Sequence, residues 1–210
     1  MEAHPWMIWA AAAGLYLGFR LWYDNWRGPL QPHEIDDFMA RAEALWPAGL
    51  NDMDQIRRFL EEDDGREFIM VNLIRVRPGL VADPATGQER SGRSMLKAYF
   101  AVFAPTLIVN GGLPLLNYRK ISGYVDALNV PQDPGWSITG LMRYRSRRDM
   151  MVLATNPRFL QAHELKMAAL THAMAFPARP LSGLVAGPRL ALALMLGLTA
   201  ALGHLIWTAA

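Results

Sequence analysis

Eleven consecutive residues, Glu67 to Arg77 (Glu-Phe-Ile-Met-Val-Asn-Leu-Ile-Arg-Val-Arg), constrain this chain more than any other stretch. The run is rich in β-branched side chains, apolar at odd and even positions alike, and stopped by Pro78-Gly79. This pattern predicts a strand covered on both faces, because a strand with one wet face alternates apolar and polar side chains. Asn72 is the single uncharged polar residue within it. The chain from here to Pro180 then reads as elements that pair with this strand or pack on it.

Two apolar segments flank that middle region. Leu190 to Ala210 has Thr199, His204 and Thr208 as its only polar side chains and reaches the length of a membrane-crossing helix. Pro5 to Tyr23 is shorter and broken only by Arg20, whose stem can snorkel to the headgroups. Trp6, Trp9, Trp22, Tyr23 and Trp26 gather at its two edges, as an aromatic belt does. A cleaved signal peptide fits less well, since Met-Glu-Ala-His carries no basic side chain and no small-x-small site follows. Arg20 and Arg27 leave the first segment and Arg179 and Arg189 enter the second. The positive-inside rule therefore places the middle in the cytoplasm and both termini across a cell (inner) membrane. Gly14 and Gly18, with Gly197 and Ala201, have the small-x-x-x-small spacing of paired membrane helices, though small residues are common in such helices anyway.

Charged residues make up 19% of the chain, and the 21 Lys and Arg are interleaved with nearly as many acids, so no nucleic-acid stripe is present. The absence of cysteine excludes disulfides, thiolate metal sites and a Cys nucleophile.

The middle resolves into elements in order. Gly28 to Pro32 releases the chain from the membrane, and His33 to Ala48 carries Ile35, Phe38, Met39, Ala42 and Leu45 at helical spacing. Asn51 or Asp52 caps a second helix through Leu60, and the acidic run Glu61 to Asp64 reads as its solvated end. These helices form a collar over residues 28–66. After the Glu67–Arg77 strand come a polar loop to Gly92 and a helix from Ser94 to Val109, kinked by Pro105 and ended by Asn110-Gly-Gly. A long strand is expected over Leu115 to Leu128, weakened at Ser122-Gly123. A second follows over Trp136 to Tyr144, with Trp136, Ile138, Met142 and Tyr144 on one face. Ser146 and Asp149 predict a capping box for a helix that Asn156-Pro157 restarts, and Ala173 to Ala178 is the last strand. The order is β-α-β-β-α-β, the ferredoxin-like α+β pattern. A linker, 181–189, leads to the second apolar segment.

Met70-Val71-Asn72-Leu73 on the first strand, Tyr99, Pro105 and Gly111-Gly112 around the first helix, and Ser146-Arg147 with Asn156-Pro157 on the broken second helix resemble the dimeric α+β barrel superfamily. Within it the chain is most similar to a small family of unknown function related to the EthD-like and antibiotic-biosynthesis-monooxygenase branches. The resemblance covers residues 67–180 and implies a homodimer whose sheets pack face to face, with a cavity beside each. One branch, the haem-degrading monooxygenases, has an Asn on the first strand and a His on the second helix beside haem. Asn72 and His163 fall at those positions, but the Trp that precedes the His in that branch is Leu153 here.

The expected cavity wall combines Phe68, Met70, Asn72 and Ile74 with Trp136, Met142 and Tyr144. Asn72 would orient a carbonyl or an oxygen intermediate, or else satisfy a buried backbone group. His163 would act in acid–base chemistry or as a haem ligand, or else sit half-buried with a local hydrogen bond. His163-Glu164 does not complete a zinc-protease motif, since the second His position is Met167. Arg143, Arg145, Arg147 and Arg148 form a basic cluster, read either as a contact for anionic headgroups or an acidic ligand, or as a solvated strand end. Two functions remain open: a membrane-anchored barrel that binds and transforms a hydrophobic molecule with monooxygenase- or isomerase-like chemistry, or a non-catalytic subunit of a larger membrane complex.

Overall fold

The computed structural model describes residues 4–181 and 186–209. The expected linker falls partly on 182–185, outside the described residues, as do residues 1–3 of the first segment and Ala210 of the last. In chain order the elements are α1 (Trp6–Tyr23), α2 (Pro32–Leu45), α3 (Met53–Glu61), β1 (Phe68–Val76), β2 (Leu80–Ala82), β3 (Glu89–Ser91) and α4 (Gly92–Val109). They continue with β4 (Leu113–Arg119), β5 (Ile138–Tyr144), α5 (Arg147–Ala154), α6 (Pro157–Ala169), β6 (Leu170–Ala178) and α7 (Pro188–Ala209). Two compact units result: Asn25–Pro180, and the terminal segments Met1–Asp24 with Leu181–Ala210.

In the larger unit β1 lies inside a four-stranded antiparallel sheet of order β4-β5-β1-β6. The protein is thus an α+β fold, with the strand that opened the sequence reading at its centre. Phe68, Asn72 and Ile74 share a face with their register partners Tyr144, Gly140 and Ile138. That face packs against α4 and α6 through Met95, Leu96, Tyr99, Phe103 and Phe159, all buried. Phe68 stacks on Tyr144 with ring centroids 5.4 Å apart. Each such side chain, fully buried, contributes about 1.5–3 kcal/mol. The opposite face carries Val71, Leu141 and Phe176 in register, and Leu73 beside Met174. Phe176 and Met174 there are 44% and 47% exposed, and Leu116 and Tyr118 of β4 are 41% and 53% exposed. One of the two coverings expected of β1 is therefore provided by helices, while the other face stays open in the single chain.

Three differences from the sequence reading have local causes. The expected strand over 115–128 ends at Arg119; beyond it Gly123, Asn129 at φ 53° and Gly135 at φ 84° break extended pairing. Lys120 pairs with Asp133 and its N–H donates to the Ser137 carbonyl at 2.9 Å, so 121–132 forms a loop pinched at its base. Trp136 consequently lies before β5 rather than on it. The loop 78–92 contains a small hairpin, β2–β3, turned on Asp83, whose carboxylate accepts from Ala85 N–H and Arg90. The Ser146 hydroxyl caps α5 through Asp149 N–H, but the Asp149 carboxylate turns to the Ser146 hydroxyl and to Arg145 instead of completing the box.

The collar joins the same unit. α2, α3 and Met151 of α5 bury Leu30, Ile35, Phe38, Met39, Ala42 and Leu60 together. Here the basic cluster finds its use: Arg143 pairs with Glu67 at 2.8 Å, Arg145 with Asp149 at 2.6 Å and Arg148 with Glu34 at 2.7 Å. Arg147 donates to the Phe59 carbonyl and faces Asp63 at 3.5 Å. These arginines are neither solvated nor aimed at headgroups or an acidic ligand, because each has a carboxylate beside it, local for Arg145 and distant in sequence for Arg143, Arg147 and Arg148. The acidic run is likewise structural: Asp63 accepts from Leu30 N–H at 2.8 Å and Asp64 pairs with Arg179 at 2.8 Å.

In the smaller unit one helix among the described residues, α7, is long and apolar enough to cross a membrane, with 22 residues and a mean hydropathy of 1.9. The other expected span, α1, falls below that hydropathy, since Trp6, Trp9, Tyr16, Trp22, Tyr23 and Arg20 lower it. The two helices do pack together, with Gly203 against Ile8 and Arg189 bonded to Asp24 at 2.7 Å. A Cβ placed on Gly14, Gly18 or Gly197 would meet nothing within 4 Å, so the small-residue ridges are not what joins this pair.

Candidate functional site

Between the sheet and helices α4 and α6 the core is incompletely filled. An inner cavity of about 100 Å³ opens there. Its floor is a row across three strands, Asn72 of β1, Gly140 of β5 and Asn117 of β4, in direct register. Gly140 makes the space: a Cβ there would lie 2.9 Å from Asn117 Oδ1 and 3.4 Å from Met142 Cε. Asn72 donates its amide to the Met70 and Gly140 carbonyls at 3.1 and 3.3 Å. Its oxygen is thereby left to accept from a guest. Leu96, Phe100 and Phe103 of α4 and Phe159 of α6 form the apolar roof.

Of the residues expected to line the cavity, Asn72, Ile74, Met142 and Tyr144 do so. Phe68 and Met70 face the same side but are packed into the adjoining core. Trp136 stands elsewhere, its indole N–H donating to the Tyr124 hydroxyl at 3.2 Å and its ring edge-on to His172.

His163 is set between aromatic rings, 5.4 Å from Phe159 and 6.2 Å from Tyr99, and its buried Nδ1 has no hydrogen-bond partner among the described residues. Burial, and then the nearby Lys166 charge, push the imidazole down to about 4, so it is neutral at physiological pH. It is not among the cavity-lining residues. One turn later Lys166 is, with its ammonium 5.9 Å from the Tyr99 ring centre. No carboxylate pairs with Lys166 among the described residues. Burial holds its amine below the ordinary lysine value, and a lysine so placed is available as a base or nucleophile. The Tyr99 and Tyr144 phenols are pushed up by the same burial and stay protonated donors.

Sequence reasoning missed Lys166. Phe159, Ala162, His163 and Lys166 follow i, i+3, i+4, i+7, so a lysine inside an apolar helical stripe was the available signal. Haem does not fit this site: an inner cavity of about 100 Å³ has no room for a porphyrin, and no histidine lines it.

No family model matches the chain, and no curated protein matches it. Among solved structures, the methylated RPA0582 protein is similar with a TM-score of 0.53 and 22% identity, over 67% of this chain and 97% of that one. The RPA0582 protein of unknown function from Rhodopseudomonas palustris follows with a TM-score of 0.50 and 21% identity, over 66% of this chain and 98% of that one. At this identity the likeness is one of fold.

Proposed function

We propose that this protein binds a hydrophobic small molecule in the cavity under α4 and α6 and transforms it, as a homodimeric α+β barrel held at the cytoplasmic face of a membrane. The carrying observation is the cavity itself, with mostly apolar walls and a few polar groups, Asn72, Asn117 and Lys166 among them. Asn72, whose amide N–H groups are taken by two backbone carbonyls, accepts through its side-chain oxygen from a hydroxyl or N–H of the ligand rather than orienting a carbonyl, and the Lys166 amine takes or returns a proton in place of His163. This is isomerase-like or monooxygenase-like chemistry at a site with mostly apolar walls. The open sheet face supports the dimer, because apolar side chains on both parities of β1 need a second cover. The apolar α7 supports anchoring, with α1 as its partner span and the cytoplasmic placement of the domain resting on the arginines beside both helices.

The test is to purify the full chain in mild detergent and identify bound small molecules by mass spectrometry. An apolar molecule retained by the wild type and lost on Leu96→Trp supports the reading. A protein that retains none, and whose melting temperature no apolar compound raises, counts against it.

A second reading, a non-catalytic subunit of a larger membrane complex, is favoured by the pinched loop, where Ile121, Val125 and Leu128 are 91%, 94% and 81% exposed. Stoichiometric co-purification of other membrane proteins, lost when that loop is made polar, would favour it.

A further inference from the structure

Leu96, Phe100, Asn117 and Ile138 line both the inner cavity and a neighbouring cleft of about 760 Å³. This mouth lies where β1 ends, α4 begins, and the end of β4 meets the start of β5. From its charge we infer that the ligand is an amphiphile with one anionic head, seated at the mouth with its hydrocarbon body directed inward. The inference rests on the reading of the inner cavity as a ligand site and adds the class of molecule that fills it.

Arg77, Arg93, Lys97, Arg119 and Lys120 line the mouth, and no carboxylate among the described residues does. Lys120 is neutralised by Asp133. Arg77 donates to the Ala168 and Leu170 carbonyls, both at 3.2 Å, which orients the guanidinium without cancelling its charge. Arg93, Lys97 and Arg119 have no ion pair among the described residues. Four positive charges therefore share one cleft without an internal counter-ion. Arg143, Arg145 and Arg148 each hold a carboxylate within 2.8 Å.

The first turn of α4, which carries no acidic residue, opens on the same cleft and adds to its positive potential. Between the charges the walls are apolar, with Val76, Leu96, Phe100 and Ile138, and the last three also line the inner cavity. A small hydrophilic anion would leave those walls wet, and a neutral hydrocarbon would leave the cations unanswered. A molecule with both parts satisfies both.

The test uses the full chain in phosphatidylcholine nanodiscs, titrated calorimetrically with decanoate, decanol and acetate against empty discs. Saturable decanoate binding about ten-fold or more tighter than decanol, weakened by added salt, is expected. Lys97→Glu with Arg119→Glu removes the decanoate advantage and leaves decanol binding unchanged, which also shows that the variant is folded. Decanol binding as tightly as decanoate in the wild type overturns this inference while the cavity stands as an apolar site. Acetate binding as tightly as decanoate overturns it as well, since the mouth would then be a plain anion site. No binding of either ten-carbon compound defeats the cavity reading itself and this inference with it. Phosphatidylglycerol added to the discs separates two supporting outcomes: competition identifies a bilayer lipid as the natural source of the head, and its absence identifies a free amphiphile.

Discussion

Arg148 grips Glu34 through two parallel hydrogen bonds, Nε to Oε1 at 3.0 Å and Nη2 to Oε2 at 2.7 Å, across 114 positions of sequence. The same guanidinium donates to the Gly28 and Pro29 carbonyls at 3.0 and 3.1 Å. One buried side chain of α5 thus ties down the start of α2 and the turn before it. Removing one partner of such a pair leaves the other charge unanswered in a poorly solvated place, at a cost of about 3–5 kcal/mol. Glu34→Ala and Arg148→Ala should each lower unfolding stability by about 3 kcal/mol in urea titrations, and the double variant should lose less than the sum.

The same pair sets an acid limit. The Arg148 hydrogen bonds hold the Glu34 carboxyl at about 2 against an ordinary 4.5. Because the folded value is depressed, its stabilisation is complete above about 4.5 and is lost as pH falls through about 2. Wild-type stability measured between those limits should fall more steeply with acid than that of Glu34→Gln.

Lys166 is predicted to be a burden on the fold. Replacement by Met keeps the stem volume and removes a cation with no carboxylate partner, so Lys166→Met should raise stability by about 1 kcal/mol while abolishing any turnover. Reductive methylation of the folded protein should modify Lys166 at a lower pH than the surface lysines, because burial holds its amine below the ordinary value. A Lys166 that titrates with them argues against its role.

Histidine titration provides an independent check on the same helix face. His163 should titrate at about 4 in nuclear magnetic resonance spectra of the folded protein. Its folded value is below the ordinary 6.5, so the neutral ring favours folding above 6.5, and that contribution is lost as pH falls toward 4. In Lys166→Met the His163 value should move upward, because a neighbouring positive charge has gone.

Gly140 is where space and stability separate. Gly140→Ala brings a methyl against Asn117 Oδ1, the movable end of a side chain, so the fold should change by less than about 1 kcal/mol. Ligand affinity should fall by about ten-fold because the cavity floor rises. Equal affinity in the variant places the ligand elsewhere.

Association is the remaining prediction. Val71 and Phe176 are register partners on the open face. Phe176→Glu should convert a dimer into a monomer in sedimentation equilibrium, with unfolding of the monomer little altered. A wild type that is monomeric in detergent at micromolar concentration denies the barrel.

Elements with a strong period were legible before any coordinates. β1, α4 and β5 lie within two residues of their expected limits, except that Trp136 and Ser137 precede β5. Asn72 faces the cavity because β1 alternates sides strictly. The overlong strand after Leu115 went astray because Ile121, Val125 and Leu128 suggest a covered strand, whereas they are exposed on a loop. No local rule announces the Lys120–Asp133 pinch. The arginine cluster was misread for a related reason: Glu34 and Glu67 lie far away in sequence, and a charge without its partner resembles a solvated one. Lys166 hid behind the assumption that lysine marks a wet helix face.

The sheet's two outer strands each contain a proline, Pro114 in β4 and Pro177 in β6. A residue without an amide hydrogen interrupts the ladder that an incoming strand would extend. Lateral growth into ribbons of many copies is therefore frustrated at both margins, even though the chain is oily and its central strand is bare on one side. A second copy that covers this sheet must arrive broadside.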